Sequence, residues 1–169
     1  MTQVTGPGKE DQICQRIRVQ GVVQAVGFRP FVCTTARSLG LAGTVANTRD
    51  GVEIFIQGPF SSLARFTNRL THEPPVLARI TGIDVESRPL GGFTNFTIET
   101  SRETAAPSTL VPPDAALCEA CRRELDDPGN RRYAYPFIAC TDCGPRYTVV
   151  KSLPFDRQAS SLDDFPMCP

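Results

Sequence analysis

Along residues 13–19, ICQRIRV, apolar and polar positions alternate. Ile13, Ile17 and Val19 share one parity and Arg16 and Arg18 the other, which predicts a half-buried strand. From residue 28 the period lengthens to that of a helix: Phe28, Phe31 or Val32, Ala36 and Leu39 recur at helical spacing, Pro30 sits where a first turn tolerates proline, and Gly40 supplies a stop. TVANT and GVEIFIQ then read as two strands joined around RDG, a hairpin signal, with Val52, Ile54 and Ile56 on one face. In SSLARFTNRL, Ser61 or Ser62 is the expected N-cap and Leu63, Phe66 and Leu70 the apolar stripe of a second helix, ended by HEPP. ARITGIDVES predicts a last long strand whose apolar phase shifts at Gly82, from Ile80 to Ile83 and Val85, and a bulge is expected there. FTIE, residues 96 to 99, adds a short edge strand.

The order β-α-β-β-α-β over about 90 residues is that of an α+β, ferredoxin-like sandwich, two helices covering one face of a four-stranded antiparallel sheet whose other face is partly wet. SRETAAPSTLVPP, residues 101–113, has three prolines and no periodicity and reads as a linker. The expected division is therefore a disordered N-terminus at 1–12, the α+β domain at 13–100, the linker at 101–113 and a small truncated unit at 114–169. Eighteen basic residues balance eighteen acidic ones, which argues against a nucleic-acid footprint or a polybasic membrane anchor. The first twelve residues lack the apolar core of a signal peptide and no apolar run approaches a membrane span, so a cytoplasmic protein without membrane association is expected.

Seven cysteines change the picture for the second unit. CEAC (Cys118, Cys121) and CTDC (Cys140, Cys143) form a C-x2-C-x18-C-x2-C array, a zinc spacing. A unit of this size has too small a core to fold without a staple, and four sulfur ligands make a closed, structural zinc site; a redox or disulfide role for the pairs is the other reading. Cys14, on the polar parity of its strand, and Cys33, within a helix, read as structural thiols, and His72 as a helix-end residue. RRYAYPF, residues 131–137, is expected to pack around the knuckles rather than bind nucleic acid. Cys168 stands in MCP as if another pair had been cut in half.

Between the first strand and the first helix lies GVVQAVGFRPFV. Backbone N–H groups of Gln24, Ala25, Val26, Gly27 and Phe28 can turn toward one point beside the positive end of the helix, making a phosphate cradle, and Arg29 in the first turn can add a charge-assisted pair. A tight turn with a surface arginine is the plainer alternative. VQGVVQAVGFR, residues 19–29, resembles the acylphosphatase signature, a V-x-G-x-V-Q-G-V-x-F-R loop ending in the catalytic arginine. GTVANTRDGVEIFIQGP, residues 43–59, is similar to that family's hairpin. The resemblance implies that Arg29 binds phosphate and Asn47 orients the attacking water; read without it, Asn47 is a turn residue preceding the hairpin. Ala25 stands where the family pattern has glycine and Val22 where a small polar or basic residue is usual; a positive φ at Ala25 would cost about 1 kcal/mol.

The loop, the linker, VPPDAALCEAC, RRYAYPFIACTDCGPRYTVVKSLPFDR and the broken second pair together resemble the start of the HypF-type [NiFe]-hydrogenase maturation carbamoyltransferases. That resemblance implies hydrolysis of an acyl phosphate, carbamoyl phosphate above all, to carbamate and phosphate. It also implies a HypE-type partner that receives the carbamoyl group for cyanide ligand synthesis through a longer parent chain. If the family pairs its C-x-x-C motifs out of order, Cys140 and Cys143 would await a partner elsewhere. A non-hydrolytic module that binds the phosphate compound or a partner protein, and a zinc-stapled regulatory protein that borrows the fold, are the alternatives.

Overall fold

A computed structural model of the chain describes residues 11–101, 115–144 and 147–165. β1 (Gln12–Val22), α1 (Phe28–Ser38), β2 (Ala42–Thr48), β3 (Gly51–Pro59), α2 (Phe60–His72) and β4 (Arg79–Arg88) follow in the expected order, and β5 (Phe96–Ile98) closes the unit. The sheet runs β4-β1-β3-β2-β5. Its first three pairings are antiparallel, but β5 lies parallel to β2, so the sheet is five-stranded and mixed rather than four-stranded and antiparallel. The cause is the path of the chain after β4. Gln57 on β3 donates from Nε2 to the Phe93 carbonyl at 2.8 Å and accepts from the Gly91 amide at 3.0 Å, and this crossing of the open face delivers Phe96 to the outer edge.

Register explains the core. Ile17 pairs with Ile54, Val19 with Val52 and Val45 with Ile54, so the strand residues of one parity form a single apolar surface. Phe28, Val32 and Ala36 of α1 and Leu63, Phe66 and Leu70 of α2 are buried on it in one cluster. The opposite face is drier than its alternation suggests: Arg16 reaches Glu53 Oε1 from Nε at 3.0 Å, and Cys14, only 3% exposed, shares a recess with Phe93 of the crossing segment.

Several local expectations need correction. Neither Ser61 nor Ser62 caps α2: the cap position is Pro59, two residues before Ser61, and the helix begins at Phe60 with no side-chain cap bond, because proline already fixes the turn into the helix. Gln12, assigned to a disordered start, begins β1; residues 1–10 and the linker beyond Ser101 lie outside the described residues, as does Cys168. The bulge falls beside Gly82, since Gln20 pairs with Gly82 and Gly21 with Ile80, leaving Thr81 as the extra residue.

In the second unit α3 (Glu119–Asp126) is followed by turns and by short 3-10 segments at Tyr147–Val149, Arg157–Ala159 and Ser161–Asp164. Its small core is Cys121, Ile138 and Cys143, with Leu117 and Leu125 against it. Tyr133, Tyr135 and Phe137 do not pack around the knuckles as expected. They are exposed, and Phe137 instead meets Tyr135 edge-on and Phe165 at a tilt, at ring separations of 5.9 and 5.4 Å.

Candidate active site and metal centre

β1 and the β2–β3 turn end at the same edge of the sheet, because Gln20 pairs with Gly51 and Thr48 with Gly51. The loop between β1 and α1 therefore lies over the turn, and Gln24 stitches the two. Its Nε2 donates to the Thr48 and Gly51 carbonyls at 2.8 and 2.9 Å, and the residue is 1% exposed. With its side chain so used, Gln24 can offer an anion only its backbone N–H, and the same holds for Val26 and Phe28, whose side chains are in the core. Among the described residues no group accepts from the backbone N–H groups of 24–28. Ala25 has φ +57° and Gly27 φ +75°, the left-handed turns that fold a run of amides into an anion-binding concavity at a helix start.

Arg29 follows in the first turn of α1. Asn47 has the core-facing parity of β2, at its turn end, and is fully buried. The two side chains meet on one atom: the Phe155 carbonyl oxygen accepts from Arg29 Nη2 at 2.6 Å and from Asn47 Nδ2 at 2.8 Å. Arg29 Nη1 also pairs with Asp156 Oδ1 at 2.6 Å, Asp156 Oδ2 accepts from the Ser101 amide at 2.9 Å, and the Phe155 amide donates to Gln24 Oε1 at 3.1 Å. Burial pushes the Asp156 carboxyl up, but hydrogen bonds from Ser101 and Arg29 outweigh it and hold the group below the usual carboxylate range. Asn47 Oδ1 is buried with no hydrogen-bond partner.

The sequence did not single out Phe155 or Asp156. LPFDR has the proline and charged residue of an ordinary turn, and nothing local ties it to a loop more than 100 residues earlier.

The four cysteines converge. Their sulfurs lie within 4.8 Å of one another, with Cys118–Cys140 at 3.6 Å and Cys140–Cys143 and Cys121–Cys143 at 3.8 Å. A tetrahedron with metal–sulfur bonds of about 2.3 Å has edges of about 3.8 Å, so the donor set fits a metal ion. Cys118 caps α3 and accepts from the Cys121 amide at 3.5 Å, and Cys140 accepts from the Asp142 amide at 3.3 Å, as thiolate ligands do. Burial raises the thiols of Cys121 and Cys140, so without a cation the cluster favours neutral sulfur. No missing partner is needed for Cys140 and Cys143; the pairs join in chain order.

The second knuckle also touches the loop. A Cβ built on Gly27 would fall inside contact distance of the Thr141 carbonyl, and one on Gly144 would lie 2.5 Å from the Ala25 carbonyl oxygen. Between loop and knuckle is a cleft of about 370 Å³ lined in part by Ala25, Gly27, Arg29, Thr141 and Phe155, within the usual range of roughly 300–1,000 Å³ for small-molecule sites.

Comparison with known proteins bears on this geometry. The acylphosphatase family model matches residues 15–98, and the chain is 44% identical to the acylphosphatase of Thermotoga petrophila over 85 residues, 50% of this chain and 93% of that protein. The chain belongs to the acylphosphatase family. Its first unit is thus an acylphosphatase-type enzyme domain. The HypF finger model matches residues 117–150, which contain the four-cysteine metal site. Carbamoyltransferase HypF2 of Cupriavidus necator is 49% identical over 157 residues, covering 90% of this chain but 19% of that protein. A crystal structure of full-length HypF in the phosphate- and nucleotide-bound form superposes with a TM-score of 0.87 at 37% identity, over 96% of this chain and 22% of that one. Acylphosphatase fold and finger are thereby joined as in HypF proteins, while the chain spans about a fifth of the length of those relatives. Among the described residues no helix is long and apolar enough to cross a membrane.

Proposed function

We propose that the acylphosphatase domain of this chain hydrolyses an acyl phosphate, carbamoyl phosphate foremost, at Arg29 and Asn47. The observation that carries the reading is the convergence of these two side chains on one oxygen atom beside five backbone N–H groups with no acceptor among the described residues. The phosphoryl group sits in the loop of residues 24–28, where the amides and the free N–H groups of Arg29 neutralise its equatorial oxygens. Asn47 Oδ1, buried and without a partner, accepts a hydrogen from the attacking water and aims its lone pair at phosphorus. The bond from phosphorus to the carbamoyl oxygen breaks, carbamate leaves, and the water proton passes to a phosphate oxygen. No protein nucleophile is required, because a mixed anhydride carries its own good leaving group and needs mainly positioning and charge stabilisation.

The wider context follows from the joined acylphosphatase and finger. In a HypF-type carbamoyltransferase this hydrolysis is the first step of carbamoyl transfer to a HypE-type partner for the cyanide ligands of a [NiFe]-hydrogenase, in the cytoplasm. The metal at Cys118, Cys121, Cys140 and Cys143 is zinc in a structural role; all four positions are sulfur, so the ion folds the unit and takes no part in the hydrolysis.

The test is phosphate release from carbamoyl phosphate by the chain, beside Arg29→Ala and Asn47→Ala. Removing the main charge donor costs about 3–4 kcal/mol of barrier by analogy with oxyanion sites, roughly 10²- to 10³-fold in kcat. A parent that releases no phosphate, or an Arg29→Ala variant that matches it, sinks the reading.

A further inference from the structure

Two consecutive residues of the cysteine unit grip both groups on which the proposed hydrolysis depends. Phe155 is held through its amide by Gln24 and through its carbonyl by Arg29 and Asn47, and Asp156 through one oxygen by Arg29 and through the other by Ser101. We propose that Phe155 and Asp156 are the positioning pair of the acyl-phosphate site, setting the Arg29 guanidinium plane and the Asn47 amide orientation so that their remaining groups face the substrate and the attacking water. The inference rests on the functional reading above and assigns part of that site to the second unit.

Hydrogen-bond capacities support it. A guanidinium has five N–H donors in a rigid fork. Phe155 and Asp156 take one from each terminal nitrogen, which leaves Nε–H and one N–H on each terminal nitrogen for a phosphoryl group. Arg29 is a long side chain on the rim of its helix, and without the pair nothing among the described residues restrains its fork. The carbonyl of Phe155 can only accept, so it turns Nδ2 of Asn47 toward itself and Oδ1 away; the reverse orientation would set two acceptors 2.8 Å apart. Oδ1 is then left as a buried acceptor without a hydrogen-bond partner. Asp156 cannot swing off Arg29 without also abandoning the Ser101 amide. The pair therefore saturates the supporting side of Arg29 and Asn47 and leaves their working side free.

A segment that merely blocked the site would do the opposite when lost: phosphate would bind better and turnover would rise. Asp156→Ala, Asp156→Asn and Asp156→Glu in the metal-loaded chain separate these outcomes, with acetyl phosphate and carbamoyl phosphate as substrates and inorganic phosphate as the binding probe. Misplacing Arg29 by an ångström should lower kcat of Asp156→Ala about 10- to 100-fold while KM stays within about threefold. Asp156→Glu should recover part of the loss, with metal content unchanged. Turnover equal to or above the parent's, or tighter phosphate binding in Asp156→Ala, overturns the proposal.

Nitrogen-15 NMR of the Arg29 guanidinium judges it independently of turnover. The parent should show separate, slowly exchanging Nη–H signals, and Asp156→Ala a single averaged one; unchanged spectra overturn the proposal. A parent that hydrolyses neither substrate fails the functional reading alone, and the NMR comparison still decides whether Asp156 holds Arg29.

Discussion

Replacing Gly27 by alanine measures how tightly the second cysteine knuckle is pressed on the loop of residues 24–28, and Gly40→Ala supplies the control. Both glycines are in the left-handed region, at φ +75° and +67°, so each alanine carries a similar conformational cost of about 1–2 kcal/mol, reduced by a gain of about 0.4–1 kcal/mol from the stiffer unfolded chain. Around Gly40 a Cβ meets nothing within 4 Å, whereas at Gly27 it would lie 2.9 Å from Thr141 Cβ and closer still to the Thr141 carbonyl oxygen. Carbon atoms settle about 3.5–4.0 Å apart, so Thr141 must move by more than half an ångström. Cys140 and Cys143 flank it, and the whole knuckle moves with it. Overpacking of this kind costs about 1–3 kcal/mol, which puts Gly40→Ala near 1 kcal/mol and Gly27→Ala at roughly 2–4 kcal/mol. Urea unfolding of the metal-loaded chain reads the difference, and inorganic phosphate titration should show affinity lost in Gly27→Ala and kept in Gly40→Ala. Equal stability losses, with phosphate binding intact in both, would refute the claim that the knuckle buttresses the loop.

Ala25→Gly relieves a positive φ and should change stability by less than about 1 kcal/mol, because freed strain of about 1–2 kcal/mol is offset by a more flexible unfolded chain; a loss of more than about 2 kcal/mol in urea would show that the methyl is a packing contact. Chelating the metal should cost the second unit its α3 signal in circular dichroism and lower phosphate affinity as well, since loop and knuckle touch; full phosphate binding by the metal-free chain would separate the two. The Arg29–Asp156 pair makes a pH prediction. The folded Asp156 carboxyl lies below its ordinary range, so its contribution is present above the unfolded value and is lost as pH falls below about 3.9. Asp156→Asn should flatten that acid limb of the stability curve, measured from about pH 5 downward; identical limbs would mean the pair is absent in solution.

Much of the first unit was legible because periodicity is a local record of burial. Ile17, Val19, Val52, Ile54 and Ile56 alternate as half-buried strands must, and Leu63, Phe66 and Leu70 recur as one helix face. Cys118, Cys121, Cys140 and Cys143 were readable as a metal array because two residues between cysteines suit one turn of chain around an ion, a constraint that acts within each knuckle. Arg29 and the loop before it stood out in the sequence through the anion chemistry expected of a helix start and through resemblance to a known signature.

Tertiary structure decided where distant pieces meet. The parallel β5 and the burial of Cys14 both depend on how the chain crosses a neighbour. Exposure of Tyr133, Tyr135 and Phe137 was equally invisible, since an aromatic cluster reads the same whether it covers a core or leans on Phe165. Above all, Arg29 meets Asp156 across 127 residues. Neither the turn in LPFDR nor the helix start of Arg29 carries a trace of the other, because an ion pair imposes no periodicity on either segment. The sequence alone determined faces, turns and a metal array; the docking of one unit on the other decided that Arg29 and Asn47 are held by Phe155 and Asp156.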